Sequence, residues 1–312
     1  MFMSSIARAV LALLLASRVE TLWLFPIAFG VLVMSRAQVV VRGALLPYVI
    51  PEGRSLVAAN SSLSRISALA GMVGALPGAA LMQLSGVNTE LLFTALVYAI
   101  GAPAAFGLPR ARGRRSTLER RSARKGVTAP AMRQAVVAAA GMRSIVGFLV
   151  FHLAFALRRE EFGNVGLGLL VGGAALGGLL GAISAPRLRR ILKEEGMLAL
   201  SLFLTAAAGL IGGRWFSLAI AVALVVLVGI AAGASKVAFD SIVQREVEEA
   251  GRGYAFARFE STLQIAWVIG GFVAVAVPIP SGQGVAGAGV LALILMGLYI
   301  VGRSKSRTLE VP

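Results

Sequence analysis

The sequence has no cysteine, a single histidine at His152 and a single aspartate at Asp240. Without cysteine there is no disulfide framework, no thiolate nucleophile and no cysteine-based metal site. With one histidine and one aspartate there is no Ser-His-Asp set. Paired carboxylates at fixed spacing and a Gly-x-x-x-x-Gly-Lys phosphate loop are missing as well. Nothing in this inventory resembles an enzyme, and it implies no cofactor and no metal. Acidic residues are scarce too: 14 Asp and Glu stand against 30 Lys and Arg, a net charge of +16. In a soluble chain that balance would suggest nucleic acid, but here the bases fall mostly in breaks between long apolar runs, so no nucleic-acid partner is implied.

Those runs are what the chain has in abundance. Hydrophobic residues make up 58% of the sequence, charged residues only 14%, and the mean hydropathy is +0.85. Crossing ~30 Å of hydrocarbon at ~1.5 Å per residue takes roughly 20 apolar residues. The segments Val165 to Ser184 and Trp215 to Ser235 reach that length with no internal charge. The expectation is an all-α, polytopic protein of a cell membrane. Ten spans are expected, over 4–18, 21–42, 56–83, 91–109, 134–157, 164–184, 197–212, 215–240, 254–278 and 285–302. The first, Ala9 to Ala16 after Met1 and Arg8, also resembles the basic and hydrophobic regions of a signal peptide.

Orientation follows from Lys and Arg. With both termini in the cytoplasm, the inner side holds 22 bases, nine of them between Arg110 and Arg133 and others including Lys236, Arg245 and Arg303. The outer side holds four: Arg18, Arg158, Arg159 and Arg214. Positive charge retained on the cytoplasmic side explains such an asymmetry. The basic stretch 109–133 reads as a solvated linker near anionic lipid, dividing a half of four spans (1–108) from a half of six (134–312).

The stretch "GALLPYVIPEGRSLVAANSSLSRISALAGMVGALPG" echoes "VAFDSIVQREVEEAGRGYAFARFESTLQIAWVIGGFVA". Each is a span, a turn with Arg54 or Arg252, and a polar-faced span that becomes glycine-rich. In these ordinals the first half lacks its first two spans. Two halves joined by a basic loop, with repeats, resemble the major facilitator superfamily and its bacterial drug-efflux branch. "LAGMVGALPGAAL" is similar to that family's antiporter motif: Gly74 and Gly78 fit, Ala75 stands at the motif's proline position, and Pro77 lies two residues later. "GAISAPRLRRI" is similar to the cytoplasmic loop signature through Gly181, Arg187, Arg189 and Arg190. The resemblance implies a bundle of about ten helices (4 + 6) and secondary, proton-coupled efflux of small amphipathic compounds. A chain shortened at its start and inactive in transport, or a metabolite or sugar carrier of the same fold, are the alternatives.

Ionisable groups at membrane depth are the functional candidates, since an unpaired charge there costs at least ~2.5–3.5 kcal/mol. Four stand out: Arg65, Arg143, His152 and Glu260. Phe256, Glu260, Gln264 and Trp267 share one helical stripe, suited to a cavity that binds an amphipathic or cationic solute with Glu260 as counter-ion or proton carrier. The plainer alternative pairs Glu260 with Arg258, Arg252 or Arg65. His152 suits a proton relay or a hydrogen bond to a neighbouring helix. Arg65 and Arg143 would pair or snorkel. Glycines four apart, at 168/172, 173/177/181 and 74/78, allow close helix approach.

Overall fold

The computed structural model describes residues 2–51, 53–107, 130–160, 163–248 and 251–308. Among these are nine α-helices: α1 (Phe2–Ser17), α2 (Leu24–Val49), α3 (Leu56–Gly101), α4 (Pro130–Arg159), α5 (Gly163–Arg189), α6 (Glu194–Arg214), α7 (Leu218–Glu246), α8 (Arg252–Ala276) and α9 (Ser281–Thr308). A short 3-10 turn covers Pro103–Gly107. The fold is all-helical, and eight helices are long and apolar enough to cross a membrane. The expected ten spans (4 + 6) are not supported: among the described residues eight helices have the length and hydropathy, with the kinked α3 counted once. At 16 residues α1 rises only ~24 Å, short of the hydrocarbon thickness. The third and fourth expected spans lie on either side of Gly86 in α3, where φ is 84° and the backbone leaves helical geometry, so α3 is two helical segments joined at a kink. Only glycine takes that backbone without strain. The linker expected over 109–133 falls largely outside the described residues, but its last four, Pro130 to Arg133, already belong to α4.

The described residues form two compact units, one within 1–51 and 69–114, the other within 52–68 and 115–312. In the first, α1 packs on α2, with Leu11 at 3.3 Å from where a Cβ on Gly30 would stand. The Arg8 guanidinium lies over the Tyr98 ring at 4.3 Å, and the Phe2 and Phe106 rings meet at 4.6 Å.

In the second unit, α5 packs on α7, α6 on α9 and α4 on α8, with α6 also against α7 and α9 against α4. Glycine makes the first three approaches possible. A Cβ on Gly177 would collide with the Val226 carbonyl, and one on Gly181 with that of Ile230. From the facing helix, a Cβ on Gly229 would come within 3.0 Å of the Ala174 carbonyl. Gly209 and Gly289 meet in the same way between α6 and α9, and Gly147 and Gly270 abut the backbone of Trp267 and Ser144 between α4 and α8. Lipid tails are as apolar as leucine, so helices in a bilayer associate through such close packing. Residues 52–68 join this unit through buried polar groups. Asn60 donates to Gln244 Oε1 at 2.6 Å and Ser241 Oγ at 3.1 Å, and Ser61 donates to the Ala182 carbonyl at 2.6 Å.

Candidate functional site

Within the second unit, α4, α5 and α7 surround a cavity of about 600 Å³, with Ser64 of α3 and Leu263 of α8 completing the wall. That volume suits a small organic molecule. The wall is apolar for most of its length, through Leu149 and Leu153 of α4, Leu170 of α5, and Val225 and Val228 of α7. Polar side chains enter it from Ser64, Arg143, Ser235 and Lys236.

Lys236 and Arg143 belong to a charge cluster. One helical turn separates Lys236 from Asp240 on α7, and the ammonium donates to both carboxylate oxygens, at 2.8 and 2.7 Å. Arg143 of α4 and Glu260 of α8 act on the same Asp240 carboxyl. Three helices thus contribute two cations and two carboxylates, which balance. Pairing lowers the cost of charges placed within apolar helices. The two cations line the cavity, whereas Asp240 and Glu260 are not among its lining residues.

The structure therefore brings together two of the sequence-based candidates, Arg143 and Glu260. The rest of the α8 stripe is placed differently. Phe256 and Glu260 are buried, Gln264 and Trp267 are half-buried, and α8 enters the cavity wall through Leu263 instead. Trp267 packs on Phe151 of α4, their rings 5.7 Å apart. His152 is buried at the opposite end of α4, where its Nε2 donates to the Ser281 carbonyl at 3.0 Å and its ring stacks on Phe148. A Cβ on Gly284 would strike that imidazole. Arg65 is half-buried and donates to Ser62 Oγ at 3.0 Å.

The glycine motifs also separate. Gly173, Gly177 and Gly181 lie along the α5–α7 interface, while Gly168 and Gly172 face open space. In the antiporter-like motif, nothing lies within 4 Å of a Cβ on Gly74, a Cβ on Gly78 meets only Glu90 at 3.8 Å, and Pro77 is exposed. Among the described residues no backbone lies within 4 Å of a Cβ at either glycine. Of the loop signature, Arg187 and Arg190 point outward, and Arg189 pairs with Glu194 at 2.7 Å.

Three groups stand apart from the sequence-based candidates. Lys236, counted by the sequence among the cytoplasmic-side bases at the end of the span 215–240, lies well inside α7 and lines the cavity. Its signal is Asp240, four residues on, which makes the two a helix ion pair rather than loop charge. Arg245 forks to Glu194 at 2.8 Å, Glu195 at 2.5 Å and Glu246 at 2.8 Å, joining the end of α7 to the start of α6. Beside that fork, the Tyr299 hydroxyl of α9 donates to the Glu195 carbonyl at 3.1 Å. The third group is Gly229 and Gly233, the α7 side of the glycine interface.

No protein-family model matches the chain. It is 29% identical, over 88% of its length, to an uncharacterized protein of Mycobacterium leprae (strain TN), and it spans about half (52%) of that relative. Its fold is similar to that of a bacterial homologue of the iron transporter ferroportin, solved in an outward-facing state. The TM-score is 0.66 at 17% identity, covering 98% of this chain and 80% of that one. The same homologue with soaked iron gives the same values. At that identity the likeness shows the fold alone: a multi-pass, all-helical membrane architecture shared with that transporter homologue.

Proposed function

We propose that the chain carries the solute pathway of a secondary transporter of the major-facilitator type, moving small amphipathic compounds across a cell membrane in proton-coupled fashion. The efflux-branch resemblance implies the outward direction. The observation that carries this proposal is the cavity among membrane-crossing helices, apolar over most of its wall and charged through Arg143 and Lys236. An amphipathic solute has the matching distribution of polarity. Asp240 and Glu260 supply what coupling requires, carboxylates at membrane depth beside the solute site, able to gain and lose a proton. Likeness to a transporter fold supports the same conclusion.

A second reading, carriage of a metal ion, is favoured by the fold likeness to a homologue of an iron transporter. The cavity speaks against it, because Arg143 and Lys236 present positive charge to an entering cation.

The test is transport by the purified chain in liposomes under an imposed pH gradient. Movement of an amphipathic dye should follow the gradient and stop when a protonophore collapses it, and the sign of the effective gradient gives the direction. Glu260→Gln keeps shape and hydrogen bonding while removing the charge, so it should insert normally and lose gradient-driven movement. Dye movement indifferent to the gradient in the unaltered protein would overturn proton coupling. Gradient-driven ferrous ion uptake without dye movement would establish the second reading.

A further inference from the structure

We propose that the solute bound in this cavity is an amphipathic anion, with a carboxylate, sulfonate or phosphate head on an apolar body. This deepens the transport proposal and rests on the cavity being a solute site. The argument starts from which charges face the space. Of the four members of the cluster, the two cations, Arg143 and Lys236, form part of the wall. The carboxylates Asp240 and Glu260 do not. Lys236 is held by both oxygens of Asp240 on its own helix, so the carboxylate steadies the ammonium without displacing it from the wall.

The positions of these groups set the orientation of a ligand. Arg143 lies in the first half of α4 and Lys236 in the second half of α7, yet both act on Asp240, so they share one end of the cavity. Ser235, beside Lys236, adds a hydroxyl able to donate to an anion. Away from these groups the wall is formed by side chains such as Leu149, Leu153, Leu170 and Val225. A head group with oxygens to share would take charge-assisted hydrogen bonds from the guanidinium and the ammonium, while its apolar body fills the remaining length. A cationic amphiphile would meet two like charges before any carboxylate, and a neutral one would leave the cationic end without a counter-charge.

The test compares three ligands with one body. Naphthalene-2-sulfonate, 2-naphthol and trimethyl(2-naphthyl)ammonium are titrated into the full chain in phosphatidylcholine nanodiscs and bound ligand is measured by equilibrium dialysis. The sulfonate should bind saturably and at least about tenfold more tightly than the ammonium ion. Arg143→Gln should weaken the sulfonate about tenfold while changing naphthol binding less than about twofold. Should that variant misfold, the paired change Lys236→Gln with Asp240→Asn removes a cation without altering net charge and should give the same selective loss. Equal or tighter binding of the ammonium ion, or equal loss of all three ligands in a folded variant, would overturn the proposal.

Adding phosphatidylglycerol to the nanodiscs separates two sources of the same chemistry. Competition with the sulfonate identifies an anionic lipid and its absence a free solute, and both are consistent with an anion site. Because binding is read without a gradient, selective sulfonate binding in a chain that moves nothing across liposomes would sink the transport proposal and leave this one standing.

Discussion

The α2 and α3 spans and the six helices α4 to α9 have overlapping hydropathy, 1.9 and 1.4 against 1.5 to 2.6, yet their burial differs completely. None of the apolar window is buried in α2 or α3, whereas 33 to 44% is buried in each of the other six. Hydropathy states which solvent a helix tolerates, and lipid satisfies an apolar face as well as another helix does. Packing needs a second property, small residues in register on two facing helices. The α5 and α7 pair has it, with Gly173, Gly177 and Gly181 opposite Gly229 and Gly233. Among the described residues, no backbone lies within 4 Å of a Cβ on Gly71, Gly74 or Gly101 of α3.

Enlarging glycines in both regions should separate them most clearly. Gly177→Leu places a side chain where the Val226 carbonyl and the Gly229 Cα already stand, so α5 and α7 must separate. Loss of about 3 kcal/mol or more is expected, since both obstacles are backbone. Gly74→Leu meets nothing within 4 Å and should stay within about 0.5 kcal/mol. Thermal unfolding in detergent followed by size-exclusion chromatography reads both, and equal sensitivity at the two sites would refute the contrast.

Asn60→Ala gives the next largest effect. It leaves buried Gln244 and Ser241 without the amide that now donates to them, at about 1–3 kcal/mol. A change below about 0.5 kcal/mol in the same assay would mean that the Asn60 amide does not help hold residues 52–68 to the second unit. The smallest effect belongs to Arg245→Ala. Its fork to Glu194, Glu195 and Glu246 is multiple but 40% exposed, so about 1 kcal/mol is expected, falling as salt rises. A loss independent of salt would show that packing of the arginine stem, rather than charge, ties α6 to α7.

Much of the fold was legible because membrane solvent imposes a length rule on every apolar run. The runs 134–157, 164–184 and 197–212 each lie within one observed helix, α4, α5 and α6. The break expected between the runs 56–83 and 91–109 coincides with the kink at Gly86, where φ of 84° takes the backbone out of helical geometry before the helix resumes. The candidate charge cluster was legible in part. Arg143 and Glu260 announce themselves by the cost of charge at depth. Lys236 does not, because a base near the end of a span cannot be told from a loop base until the helix is seen to continue to Glu246.

What the sequence alone determined is the solvent and the element type. Runs of apolar residues with their backbone groups to satisfy must become helices in a bilayer, whatever their neighbours. Which faces meet is settled by the packing of the folded chain. Periodicity places Gly177 and Gly168 on a helix equally well, but only the register with α7 makes one an interface and leaves the other in open space. The same holds for the charges: Asp240, Lys236, Arg143 and Glu260 become one cluster because three helices from distant parts of the chain converge, and no spacing along a single helix encodes that convergence.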